Sequence, residues 1–480
     1  MPSIRKNFFY SGILTTANYL FPLLTFPYVS RVLGVTNIGI VNFVDSCINY
    51  FILVSMMGIN IVGIREIAKS KWNKEKLNQT FSGLFFLNTI TTAIALVVLI
   101  IMTLSIDKLL GYWHLMLIGA LKLIMNFLLI EWLYKGLEEF KYITIRTIIV
   151  KMCYVVSVFV FVRCSEDYHI YYFLSVMMIV VNSVINLAYS RKYVSMKWSH
   201  VDVFHHFKPY FILGVYSLFT SMYLLVNVSW LGFVSGEKEV GFYTTASKLF
   251  EILIALFTAF TAVMLPRMSS LLAEGKVDEF KDKVSKVYNV LFSFSIPLIL
   301  LTIVNAPAII SIIAGPGYEG AIIPMRIMMP LILVIGYEQI LIMQMLMPLK
   351  KDNVVLWNSI LGALTCILLS MILIPKYASI GTAIVWFCSE IVVLCSAQYY
   401  VIKYISISFP WRNLLTYLMM YLPLSVGIIM CRFFFTGFTS LLLSCIFTAI
   451  YFFISNIYVK RNEEFAGLVH SCLNIMILKR

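Results

Sequence analysis

The chain has 480 residues, of which 61% are hydrophobic and only 12% charged, with a mean hydropathy of +0.90. A soluble domain carries about 25% charged residues, so this chain has too few polar groups to cover a water-facing surface, which excludes a soluble globular protein. The net charge of +14 would suggest nucleic acid in a soluble protein, but in a membrane chain it marks Lys- and Arg-rich loops, and no nucleic-acid partner is expected.

A membrane-spanning helix needs about 20 apolar residues. In chain order, fourteen segments meet that need: 8–30, 39–64, 81–105, 112–134, 142–163, 168–189, 210–233, 241–264, 287–305, 321–346, 353–374, 380–402, 413–431 and 438–459. The expected fold is therefore an all-α integral membrane protein with about fourteen transmembrane helices. The N-terminal MPSIRKNFFYSG has no cleavage signature, and the apolar run after it is long enough to stay as a span. Nine cysteines are scattered without a CxxC pair and read as small buried apolar residues, so neither a metal nor a cofactor is expected. No GxxxxGK[ST], HExxH or nucleophile elbow occurs. The chain reads as no enzyme, and any work it does must draw on an ion or substrate gradient.

Lys and Arg set the orientation. Twenty-seven fall in one set of alternate loops and at the termini, and six in the other set. That split predicts both termini in the cytoplasm. A weak internal repeat accompanies it. A shift of 202 residues puts Gly39 on Gly241 and Arg65 on Arg267, each arginine leading into a charged amphipathic stretch, 65–80 or 267–286. The division expected is an N-terminal six-helix bundle (1–195), a C-terminal six-helix bundle (196–405), and two additional helices with a cytoplasmic tail (406–480). Parallel repeats of this kind are a transporter architecture. The tail, Glu463 to Arg480, is too short and too charged at its ends to span, and is expected along the membrane interface.

Ionisable side chains at bilayer depth are costly and mark partners or water-filled cavities. The cations inside spans are Lys122, Lys151, Lys248 and Arg326; the acids are Asp45, Glu131, Glu251, Glu338 and Glu390. Glu131 and Arg146 flank one turn and read as an inter-helix bridge. Lys248 and Glu251 are three apart and can pair, and Lys151 can snorkel to the interface. Lys122, Glu338 and Glu390 are deep without an evident local partner. Asn126 follows Lys122 by one turn on the same face. The repeat further suggests that Asp45 approaches Lys248. Pro22 and Pro27 fall in the first segment, and Pro324 and Pro330 in the tenth, where they bend or hinge a helix.

Four stretches resemble one family. GINIVGIREIAKSK (58–71) looks like the exit of span two in Wzx-type polysaccharide repeat-unit flippases, and EWLYKGLEEFKYITIRTI (131–148) like the link between spans four and five. NYLFPLLTFPYVSRVLG (18–34) is similar to the family's first span, and GFYTTASKL (241–249) to the start of span eight. The resemblance implies two pseudo-symmetric six-helix bundles around a central cavity, in the superfamily of MATE exporters and MurJ-like flippases. The implied activity is translocation of undecaprenyl-diphosphate-linked oligosaccharide repeat units to the outer leaflet of the bacterial cytoplasmic membrane, for O-antigen, capsule or exopolysaccharide assembly. Implied partners are that lipid-linked oligosaccharide, membrane lipid, and the polymerase and glycosyltransferases of the same machinery. On this reading Lys122, Arg326, Lys248, Lys151 and Asn126 line the cavity for diphosphate and sugar. Glu338, Glu390 and Asp45 serve proton or ion coupling or gating. The family's lumen is cationic, whereas this chain sets five acids against four cations. A MATE-type cation exporter, a membrane scaffold in a synthase complex and a membrane-embedded glycosyltransferase are the other readings. The exporter would want an acidic, aromatic cavity, the scaffold would need no deep charges, and the glycosyltransferase would show larger outer loops.

Overall fold

The computed structural model describes residues 4–195, 210–211, 214–215, 218, 221 and 226–459. Much of the seventh segment lies outside the described residues, as does the tail and the expectation that it lies on the interface.

Ten helices among the described residues are long and apolar enough to cross a membrane. Two of them are too long for one crossing. Helix α1 (Ile4–Met56) has 53 residues, about 80 Å of helix against a hydrocarbon core of about 30 Å. It breaks at Gly34, where φ is 75° and ψ 168°, a conformation that essentially only glycine holds. Its two limbs are the first two expected segments. Helix α14 (Asp352–Ile405) has 54 residues and breaks likewise at Ala378, with φ 48° and ψ −124°, three residues after Pro375.

Apolar side chains fill the interior and also cover the outward faces. On α3 (Lys74–Ser105), Ile94, Val97, Ile101 and Leu104 are exposed, while Asn78, Asn88 and Thr92 are buried. Where the solvent is hydrocarbon, apolar groups have no reason to hide and polar groups must find partners inside. The cysteines correct the expectation of burial. Cys47 and Cys366 are buried, but Cys153, Cys395 and Cys445 lie on outward faces.

The chain forms two compact units. The first comprises 1–248, 314–324 and 356–389; the second comprises 249–313, 325–355 and 390–480. In the first, α1 packs against α3, α5 (Trp113–Phe127), α7 (Phe140–Phe161) and α8 (Tyr168–Ser190). The second limb of α1 ends at Met56, earlier than expected. After a turn at Met57 and Gly58, α2 (Ile59–Ser70) carries the REIAK stretch as a separate helix. It packs against α6 (Glu131–Gly136), with Gly63 facing the Trp132 ring and Gly136 facing Ile67; a Cβ on either glycine would come within 3 Å of those atoms.

The fourth segment also divides. Helix α5 stops at Phe127, and α6 begins after Ile130, whose φ is 37°. Between them the carbonyls leave the helical ladder. Ser183 donates to the Met125 carbonyl at 2.6 Å, and Asn186 donates to that of Leu129. Irregular backbone survives at this depth because α8 supplies the missing donors. A short helix α4 (Asp107–Leu110) closes the loop after α3.

Helix α9 (Val226–Ser235) is followed by α10 (Glu237–Ala273). The start of α10 meets the second limb of α1 in a reciprocal contact. A Cβ on Gly39 would lie 1.7 Å from the Glu237 carbonyl oxygen, and one on Gly241 would lie 2.2 Å from that of Val35. Asn42 Nδ2 donates to Thr244 Oγ1 at 3.0 Å, across the same sequence separation of 202.

In the second unit, α11 (Val277–Ile313) packs against α13 (Leu331–Gln339), α15 (Trp411–Phe434) and α16 (Gly437–Ile454). The tenth segment is three pieces: α12 (Ile322–Met328), α13, and a π-helical stretch, Ile340–Leu346. Pro330 caps α13, a position where the absent N–H has no helical partner to lose.

Candidate functional site

Two clusters of buried polar groups stand out, one in each unit. In the first unit, Asp45 and Asn49 lie one helical turn apart on the second limb of α1 and face Lys122 from the middle of α5. Lys122 Nζ is 2.6 Å from Asp45 Oδ1 and 2.9 Å from Asn49 Oδ1, and Asn49 Nδ2 donates to Asp45 Oδ2 at 3.1 Å. The three side chains close a ring of hydrogen bonds. The lysine side chain is 13% exposed and the aspartate 30%, so the pair is sheltered and reachable from one side. In such a place a lone ammonium is costly. Asp45 neutralises it, and Asn49 satisfies a further donor and holds the carboxylate in line.

Asp45 therefore meets Lys122, where the repeat had suggested Lys248. Lys248 lies 4.9 Å from the Phe26 ring centre. Asn126 is half-buried at the end of α5; the amide that joins the lysine is Asn49, 73 residues away in sequence. Lys151 donates to Asn18 Oδ1 on the first limb of α1 at 2.6 Å and stands over Phe21, a fixed partner in place of a free snorkel. Glu131 does bridge to Arg146, at 2.9 Å, and also to Lys135, at 3.2 Å.

The second unit holds the other cluster. Glu338 on α13 and Glu390 on α14 come close enough for their carboxyl groups to interact. Glu390 is 3% exposed, and Glu338 Oε2 is buried without a partner. Two carboxyls can hydrogen-bond only if one carries a proton, so such a pair is chemically able to hold one. Arg326 is exposed and donates to the Ile303 carbonyl at 3.1 Å.

Sequence reading missed two residues. Asn49 had a usable signal, an amide four residues from an intramembrane acid. Gln344 had none: it is fully buried in the π-helical stretch six residues past Glu338, and both ends of its amide lack partners.

These features define a multi-span helical membrane protein whose ionisable groups are sequestered at membrane depth, which is the construction of a transporter. The chain belongs to the polysaccharide biosynthesis protein family, whose model matches residues 4–272. It is 28% identical over 406 residues to a protein of Escherichia coli K12 named "Putative O-antigen transporter", covering 82% of this chain and 95% of the relative. Its fold is similar to that of the lipid II flippase MurJ in an inward closed conformation, with a TM-score of 0.80 and 14% identity, over 95% of this chain and 99% of the other. It is also similar to an inward-facing MATE-family multidrug resistance transporter, with a TM-score of 0.62 and 14% identity, over 81% and 94% of the two chains.

Proposed function

We propose that this chain is a flippase that moves undecaprenyl-diphosphate-linked oligosaccharide repeat units from the inner to the outer leaflet of the bacterial cytoplasmic membrane by alternating access. The observation that carries it is the Asp45–Asn49–Lys122 ring in a chain of a polysaccharide biosynthesis family. The name borne by the Escherichia coli relative agrees with this reading.

The diphosphate and sugars cannot cross hydrocarbon unaided. Asp45 pairs with Lys122; a diphosphate entering beside the ring can take over the ammonium through charge-assisted hydrogen bonds. Asn49 then holds the released carboxylate. Arg326, exposed and donating through Nε to the Ile303 carbonyl, is a further cation proposed to meet the cargo. Lys248, Lys151 and Asn126 belong to the same proposed path. Membrane potential favours outward movement of an anion by about 2.3 kcal/mol per charge per 100 mV, so two uncompensated charges are worth about 4 to 5 kcal/mol on the same constant. Glu338 and Glu390 are candidate carriers of a coupling proton.

In the proposed topology both termini are cytoplasmic and the chain crosses fourteen times, as two six-helix bundles (1–195 and 196–405) and two further helices. Support comes from the ten apolar helices, the breaks that split two of them, and helices α9 and α10 over the seventh and eighth segments. The reciprocal Gly39 and Gly241 contacts support the repeat. Polymerase and glycosyltransferases of the same machinery are the proposed protein partners. A MATE-type cation antiporter is the second reading, favoured by the Glu338–Glu390 acid pair but by a lower fold similarity.

The test uses a strain unable to export its surface polysaccharide repeat unit, supplied with the matching assembly cluster. The wild-type chain restores surface polysaccharide, and Lys122→Ala at equal membrane abundance does not. Failure of a well-expressed wild type with its cargo present would move the assignment to the exporter.

A further inference from the structure

The first unit has a cavity of about 530 Å³ on the groove between α7 and α8, away from the Lys122 ring. Its upper wall is made of Lys141, Tyr142 and Arg146 from α7 and Tyr189 from α8; its lower wall is made of Ile145, Ile149 and Ile185. These isoleucines are 45%, 55% and 37% exposed, on helices that otherwise show apolar surface to hydrocarbon. From Lys141 to Ile149 the helix rises about 12 Å, roughly the depth from a headgroup into the acyl region.

The polar end is built to take a negative group. Arg146 lines the cavity and is 6% exposed; its other nitrogens serve Glu131, Thr147 and the Asn182 carbonyl, but Nε is buried without a partner. Helix α7 starts at this end with no side-chain cap, so its first N–H groups have no side-chain acceptor there. Tyr142 and Tyr189 stack with ring centres 3.9 Å apart, forming a rigid amphipathic wall. Lys192 stands 5.5 Å from the Tyr189 ring centre and adds a cation beside the groove. The one acid on the lining, Glu139, is engaged by the Tyr193 hydroxyl at 2.9 Å.

We propose that this groove is a binding site for an anionic glycerophospholipid. The phosphate sits against Lys141, the start of α7 and Arg146, and one acyl chain follows Ile145 and Ile149. The charge complementarity selects an anionic headgroup, and the apolar lower wall selects a lipid over a free phosphate. The inference does not rest on the transport reading or on which leaflet the groove faces.

Native mass spectrometry of the delipidated full chain tests it, with dioleoyl phosphatidylglycerol and dioleoyl phosphatidylethanolamine added separately at equal concentration. Preferential retention of phosphatidylglycerol is expected, falling about tenfold in Lys141→Glu with Lys192→Glu. Both substitutions lie at the helix ends, and an unchanged lipid-free melting temperature checks that the fold is intact. Ile149→Trp fills the lower wall and should lower retention of the lipid without touching a charge. Equal retention of the two lipids, or retention unaffected by the charge reversals, would overturn the proposal. If undecaprenyl phosphate displaced phosphatidylglycerol at equal concentration, and did so only with Lys141 present, the groove would belong to the carrier lipid and the assignment to phospholipid would be wrong.

Discussion

Lys122 and Asp45 lie 77 residues apart and meet at 2.6 Å. Removing one member of a fully buried pair costs about 3–5 kcal/mol. Asp45 keeps 30% exposure, which screens the survivor, so Asp45→Asn should cost roughly 1–3 kcal/mol. Thermal unfolding in detergent reads that loss, and Lys122→Met combined with Asp45→Asn should recover part of it, since no lone charge is left. A second pair lies outside the spans. Burial by itself would push the Glu237 carboxyl up, but Lys108, 3.0 Å away, outweighs it and holds the group below the usual glutamate range. A depressed folded value contributes stability above the ordinary value of about 4.3, which is lost as pH falls through the lower folded value. The melting temperature of the wild type should therefore drop more between pH 6 and pH 3.5 than that of Glu237→Gln. At this scale the acids and cations were readable as outliers in apolar runs, but apart from the Glu131–Arg146 bridge their partners were not. Lys122 and Glu338 had no local partner because each meets its neighbour across a helix–helix contact that sequence spacing does not encode.

Among the elements, glycine decides where helices break or touch. Gly34 lets one 53-residue helix become two limbs, and Gly39 lets the second limb approach the start of α10 to backbone distance. A side chain at Gly39 must displace the Glu237 carbonyl, and overpacking of this kind costs about 1–3 kcal/mol. Gly39→Val should therefore lower the melting temperature and cut export, while Gly12→Val, at a position with nothing within 4 Å, should change neither. Ten helices long and apolar enough to span stand among the described residues, and two of the expected spans ended too late. Hydropathy runs on through Ile59–Ile64 and Leu128–Leu133, whereas the backbone turns at Met57 and at Ile130. Those turns depend on donors from α8 and on close packing between α2 and α6, neither of which a hydropathy window contains.

For the molecule as a whole, the question is what drives transport. On the proposed function, a proton carried by the Glu338–Glu390 pair and the membrane potential acting on an anionic cargo would be independent sources. If the acid pair couples transport, Glu338→Gln and Glu390→Gln should each flatten the dependence of export on external pH, measured in proteoliposomes at fixed potential. Unchanged pH dependence in both would leave the potential as the driving force. The Gln344 amide, buried with neither end partnered, belongs to the same question. Its π-helical stretch follows Glu338 closely, and such stretches recur at functional sites because they leave backbone groups open.

Composition and the spacing of apolar runs by themselves determined that this chain lives in a membrane, because a 12% charge content cannot solvate a surface of this size in water. They also singled out its costly intramembrane charges, and the 202-residue offset put Gly39 on Gly241. Apart from the Glu131–Arg146 bridge, only the tertiary structure decided which charge answers which. It gave Asp45 to Lys122, brought Glu338 and Glu390 together, and set Lys151 against Asn18. The physical reason is that a helix in hydrocarbon satisfies its backbone internally and advertises its outer face, so hydropathy is a local property. A buried charge is instead satisfied by whichever neighbour packing brings within 3 Å, and that neighbour is fixed by the crossing of helices far apart in the chain.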